Sequence, residues 1–139
     1  MAVGASDFGE LKGLDEYMKC AKQTKNFEIY TVMFLYIFDN KEKDAVWEKV
    51  IDRLSGTQTA MWIFIGAKRQ NVESERIEAL LRKVVDYAKK KKVQVTLYPH
   101  SNTEVETAEE ALVWVKKINS TNFKLVVHSC HEIRAGNGN

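Results

Sequence analysis

The chain contains one proline, Pro99, among 139 residues. It has no proline-rich linker, and apart from the Gly-Asn-Gly-Asn tail no low-complexity segment divides it. Its two cysteines, Cys20 and Cys130, lie near opposite ends and fit neither a disulfide framework nor a CxxC metal pair. No apolar run is long enough to cross a bilayer. The opening residues MAVGASDFGE carry no basic or apolar leader, so no signal peptide is expected and the default compartment is the cytoplasm. A formal charge of +2 is too small to imply nucleic acid as a partner. Walker, G-x-G-x-x-G and G-x-S-x-G motifs are all missing. There is also no acidic cluster or phosphate loop after the first strong strand, as a flavodoxin-like signalling domain would require.

What remains is a soluble globular composition, 45% hydrophobic and 29% charged. Its length suits a single domain, taken as residues 1–139. Leu11, Leu14, Met18 and Ala21 recur at helical spacing and predict a helix over 8–25. The β-branched and aromatic run Phe27 to Leu35 predicts a buried strand. Val46, Val50, Ile51 and Leu54 predict a helix over 42–55, stopped by Gly56. Ala60–Ile65 reads as the second strand. A helix from about 72 to 90 follows, with Ile77, Leu80, Leu81, Val84 and Val85 on one stripe. The run Lys89 to Lys92 closes it, where cations favour the negative end of the dipole. Val93–Tyr98 is the third strand, and Pro99 stops it because proline cannot extend a ladder. Thr107 and Glu110 form a capping box for a helix over 108–119. Lys124–His128 is the fourth strand.

The pattern is α/β: alternating α-β units with four parallel strands that start roughly every 30 residues, the length of one βαβ unit. Parallel strands put all their C-terminal ends on one rim. Side-chain parity separates Val93, Val95 and Leu97 from Gln94, Thr96 and Tyr98, and Met61, Ile63 and Ile65 from Trp62 and Phe64. The aliphatic faces suit covering helices. The mixed faces suit a barrel interior that turns polar at its mouth.

All three histidines, His100, His128 and His131, follow a predicted strand end. His128 and His131 are candidate metal ligands, since neutral imidazole suits zinc, manganese or iron. The alternative is one ring bonded to backbone and one solvated. Glu132 is a ligand, a base or an orienter of His131, or else a solvated residue opening the next helix. Cys130 is either an activated thiol between two histidines or a buried structural cysteine, and the second reading is preferred. Tyr98 and His100 are candidate donors to a sugar hydroxyl or oxyanion. Lys68 and Arg69 follow the second strand at the same rim, and Lys68 is a candidate phosphate contact. As rim residues, these side chains are expected to lie outside the packed core.

Three segments carry a resemblance: Leu97-Tyr98-Pro99-His100, Glu106-Thr107-Ala108-Glu109-Glu110-Ala111, and His128-Ser129-Cys130-His131-Glu132-Ile133-Arg134-Ala135-Gly136-Asn137. Together they resemble the xylose isomerase-like TIM barrels, which include sugar phosphate isomerases and epimerases. The resemblance implies a (β/α)8 scaffold with a divalent metal (zinc, manganese or magnesium) at its C-terminal rim. It sets Tyr98 at a family glutamate ligand position, His128 at an aspartate position and His131 at the histidine. The last family glutamate lies on a later strand than this chain contains. His100 matches a histidine that often follows the first ligand. Eight units need about 250 residues, so the four strands resemble half of a TIM barrel, its second to fifth strands.

The function this implies is isomerisation or epimerisation of a small sugar or sugar phosphate by proton transfer beside a carbonyl. His131, Glu132 and His100 would be catalytic, and Tyr98, His100, His128 and Lys68 would bind substrate. The alternative is a non-catalytic sugar-binding or structural module on a truncated scaffold. Open parallel edges and an unclosed apolar interior around Trp62, Phe64 and Phe34 predict self-association.

Overall fold

The computed structural model describes residues 2–4, 11–40, 44–66 and 71–136, the first three as backbone alone. Ten elements follow one another: β1 (Ala2–Gly4), α1 (Lys12–Gln23), β2 (Thr31–Tyr36), α2 (Val46–Leu54), β3 (Ala60–Ile65), α3 (Ser74–Lys90), β4 (Val95–Leu97), α4 (Ala108–Ile118), β5 (Phe123–Leu125) and α5 (Ser129–Arg134). The strands form one parallel sheet in sequential order. A doubly wound sheet would reverse its order at a switch point. Sequential order without reversal belongs to a barrel wall, and the five strands make half of one.

The four expected strands are present, and β1 adds a fifth. Its three residues carry no periodic signal of their own. They count as strand because they pair with Thr31, Val32 and Met33. Pairing also sets the other limits. The ladder of β2 opens at Thr31 rather than Phe27 because its partner opens at Ala60. β5 is shorter than Lys124–His128 because β4 ends at Leu97, and the last bond across, Val126 N–H to Leu97 C=O, is 3.1 Å. Pro99, just beyond, has no N–H to give.

One face of the sheet carries Val32, Phe34, Met61, Ile63, Ile65, Val95 and Leu97, each at most 1% exposed. These residues share one core with Leu14 of α1, Trp47 and Ile51 of α2, Leu81 and Val84 of α3 and Ala111 of α4. The helices therefore lie on that side. Burial of each large aliphatic side chain there stabilises the fold by about 1.5–3 kcal/mol. Met33, Leu35, Trp62 and Phe64 point the other way and are only half-buried. Phe34 corrects the sequence reading. It is opposite Ile63 in the ladder and packs under the helices, so the open apolar face is built on Met33 and Leu35 with Trp62 and Phe64.

Local signals stop the helices where expected. Gly56 takes φ +78° after α2, and Lys92 takes φ 58° after α3, just past the lysines of its last turn. Thr107 Oγ1 accepts the Glu110 N–H at 3.1 Å while the Glu110 carboxylate accepts the Thr107 N–H at 3.3 Å, the expected capping box. No helix among the described residues is long and apolar enough to cross a membrane.

Candidate functional site

The site is built on the C-terminal ends of β4 and β5, and Tyr98 is its centre. The Tyr98 N–H donates to Ile63 C=O at 2.8 Å, which continues the β3–β4 pairing one residue past β4. Parity then turns its ring to the open side, between Trp62 (5.4 Å between centroids) and Phe64 (5.9 Å). The rings of His100, His128 and His131 surround it at 6.0, 5.9 and 5.6 Å. Burial, with a smaller contribution from Cys130, pushes the Tyr98 phenol up from its ordinary value. It is a neutral donor at physiological pH.

His100 opens a tight loop over residues 100–105. Its N–H donates to Val105 C=O at 3.0 Å, and its own C=O accepts the Thr103 hydroxyl at 2.6 Å. Asn102 takes the left-handed φ of 65° that this turn needs. The ring stacks on Phe64 at 5.5 Å and 18°. Its Nδ1 is 2.9 Å from Ser101 C=O and can only donate there, which leaves Nε2 as the nitrogen available for other chemistry.

His128 and His131 meet because the chain turns between them. His128 keeps extended backbone (φ −125°, ψ 104°) as the N-cap of α5, and its C=O accepts the His131 N–H at 2.9 Å. An N-cap side chain lies beside the residues two and three positions into the first turn, which is how capping boxes form. Here those residues are Cys130 and His131. The ligand-capable atoms of His128, Cys130 and His131 lie within 4.8 Å of one another. Cys130 is exposed, which overturns the reading of a buried structural cysteine. It lies in the first turn of α5, where Ser129 and Cys130 face solvent and His131 is buried.

His131 departs from expectation in the opposite sense. It is 8% exposed, with its ring 3.9 Å from His100 and 4.9 Å from His128. The Ser101 hydroxyl is 3.3 Å from its Nδ1. Burial, then the neighbouring His100, His128 and Arg134, hold its pKa below the ordinary histidine value. A neutral ring is the state that ligates metals.

Glu132 is placed differently. One of its oxygens accepts the Ala108 N–H at 2.6 Å, so the carboxylate ties α5 to the first turn of α4. Lys68 and Arg69 lie outside the described residues. The structure thus brings Tyr98, His100, His128 and His131 together and turns Glu132 toward a helix start. Sequence reasoning missed Ser101, which has no signal beyond its place after a histidine. It also weighed Cys130 only as an activated thiol or a structural cysteine, not as a donor gathered with the two histidines.

The description of the xylose isomerase-like TIM barrel matches this chain over residues 4–139. Among solved structures, the chain is similar to the probable 3-DHS dehydratase AsbF, involved in petrobactin synthesis, from Bacillus anthracis. The TM-score is 0.67 and the identity 18%, over 91% of this chain and 49% of that one. It is also similar to the IolI protein with a binding zinc atom. There the TM-score is 0.71 and the identity 21%, over 94% of this chain and 52% of that one. At such identities the likeness is one of fold, and this chain spans about half the length of either structure. No curated protein matches it.

Proposed function

The chain belongs to the xylose isomerase-like TIM barrel family, and on that premise we propose that it binds a small sugar or sugar phosphate at the C-terminal rim and contributes to isomerisation or epimerisation beside the carbonyl. The observation that carries this is the convergence of Tyr98, His100, His128 and His131, with ring centroids of 3.9 to 6.0 Å around Tyr98 and His131. Sites on parallel barrels are built from strand ends at this rim.

Each residue then has a role set by its surroundings. His100 Nε2 exchanges the proton at the carbon next to the carbonyl, because Nδ1 is held by Ser101. The Tyr98 hydroxyl donates to the developing oxyanion. Trp62 and Phe64 give the sugar's apolar face a surface. His128, exposed at the mouth, orients a hydroxyl. Lys68, which follows β3 in sequence, is the proposed phosphate contact. Glu132 acts as a positioning residue through its bond to Ala108.

The donor set fits a divalent ion. Two imidazoles within ligand range of each other suit zinc or manganese better than magnesium. His128 and His131 would hold it, and when bound it would supply Lewis-acid polarisation of the carbonyl. Two free thiols, Cys20 and Cys130, fit a reducing compartment, the cytoplasm.

The engagement of Glu132 with Ala108 supports a second reading, a sugar-binding module without turnover. One experiment separates the two. The protein is incubated in D2O with a panel of ketose and aldose phosphates while NMR follows both ligand line broadening and deuterium uptake next to the carbonyl. Uptake that falls at least tenfold in His100→Asn supports the enzyme. Broadening without uptake supports the binding module. Neither signal with any member of the panel overturns both.

A further inference from the structure

Resting on the reading of the rim as a metal site, we propose that Cys130 is a third ligand, so that His128, Cys130 and His131 form a thiolate-containing zinc site whose occupancy follows the redox state of the sulfur. Among the described residues this is the only group of three or more histidine, cysteine or acidic side chains whose donor atoms gather so closely. Those atoms lie within 4.8 Å of one another. Tetrahedral zinc, with bonds of about 2.0 Å to nitrogen and 2.3 Å to sulfur, sets two nitrogens and a sulfur about 3.3–3.6 Å apart. The triad is therefore open by about one ångström. His128 and Cys130 are exposed, and rotation of their side chains toward the buried His131 would close that gap.

His131 is already prepared for ligation. The Ser101 hydroxyl takes the Nδ1 side of the ring at 3.3 Å, which leaves Nε2 as the nitrogen that would ligate. Metal-bound histidines use their other nitrogen in this way. Two nitrogens and one sulfur leave a fourth position open, the pattern of catalytic rather than structural zinc. A thiolate also changes selectivity. It favours zinc and disfavours manganese and magnesium, whose preferred donors are oxygen.

Because Cys130 is solvent-accessible, the ligand is also open to peroxides. The thiolate sulfur attacks hydrogen peroxide. An S–O bond forms, the O–O bond breaks, and hydroxide leaves. Cysteine is oxidised by two electrons to the sulfenic acid and peroxide is reduced. The sulfenic sulfur is a poor zinc ligand, and the ion dissociates. Two equivalents of a small thiol reverse the change: the first forms a mixed disulfide and releases water, and the second regenerates Cys130. Cys20, on the α1 segment between β1 and β2, is far along the sheet order from β5 and provides the control.

The test titrates the full chain, Cys130→Ser and Cys20→Ser with zinc against a chromophoric chelator, and with cobalt in the ultraviolet. The expected result is zinc affinity at least tenfold weaker in Cys130→Ser and unchanged in Cys20→Ser. Sulfur-to-cobalt charge-transfer absorption should appear in the parent and Cys20→Ser proteins and vanish in Cys130→Ser. Hydrogen peroxide should release zinc from Cys20→Ser, and a small thiol should restore binding. Equal zinc affinity with and without the Cys130 sulfur overturns the thiolate ligand and leaves a two-histidine site standing. No zinc binding by the parent protein overturns both the thiolate and the metal, while the sugar phosphate exchange assay still reports on the rest. If Cys130→Ser does not fold, mass spectrometry of the parent decides. Zinc should protect Cys130 but not Cys20 from alkylation, and an unchanged rate at Cys130 overturns the proposal.

Discussion

The carboxylate of Glu132 accepts the backbone N–H of Ala108 at 2.6 Å, twenty-four residues away in sequence. Ala108 is the first residue of α4, and its N–H is one of the donors a helix start leaves without an intrahelical partner. Glu132→Ala should therefore cost about 0.5–2 kcal/mol, the range of a lost cap. Glu132→Gln should recover most of that, since its carbonyl oxygen accepts the same bond. Urea unfolding followed by circular dichroism measures both. An alanine variant as stable as the parent would show that the bond carries no net stability.

Acid should weaken the fold through His131. Its folded pKa is lowered, chiefly by burial, while the unfolded chain keeps the ordinary value of about 6.5. Below that value the unfolded state binds the proton more readily than the folded one. Stability is then full above about pH 6.5 and falls as pH drops toward the folded pKa. Unfolding midpoints measured between about pH 7.5 and pH 5 should decline, and less steeply in His131→Gln. Identical slopes in the two proteins would assign the decline to other groups.

His131→Ala carries its own cost. It removes the partner of a buried hydroxyl, Ser101 Oγ, so about 1–3 kcal/mol should be lost even without ligand. The double variant His131→Ala, Ser101→Ala should lose less than the single one, because no orphaned polar group remains. Thermal unfolding of the pair tests this.

Leu97→Ala should cost about 2–5 kcal/mol. Leu97 is wholly buried on the helix side of β4, in register with Ile63 and Leu125. Denaturant midpoints report the loss, which should exceed that of Glu132→Ala.

The open face of the sheet should drive self-association. Met33, Leu35, Trp62 and Phe64 remain half-buried there, and among the described residues β1 and β5 are the edges of the sheet. Light scattering after size exclusion should show a dimer or larger species, shifted toward monomer in Trp62→Arg. A parent protein that stays monomeric at micromolar concentration would overturn this expectation.

The sequence alone determined the alternation of helix and strand, the parallel sense of the sheet and the rim on which the histidines gather. Apolar spacing encodes the α3 stripe and the Ala60–Ile65 strand locally. Thr107 with Glu110, and Gly56 with its φ of +78°, encode the helix limits in the same way. Proline at 99 and histidine at 100 mark the end of β4 because proline can neither donate nor continue the ladder. Family resemblance added the barrel.

Only the tertiary structure decided what depends on a partner distant in sequence. β1 exists through Thr31 to Met33, and β5 ends where β4 ends. Phe34 went under the helices because its register opposite Ile63 fixes its face, which no single strand reveals. Glu132 was drawn to α4 by an unsatisfied N–H. Cys130 was left in solvent because the first turn of α5 brings His131, not Cys130, against the rings of Tyr98 and His100. His131 became buried because Tyr98, His100 and Ser101 close around it. Local pattern fixes which residues can form an element, and packing between elements fixes which of them face water, a neighbour or one another.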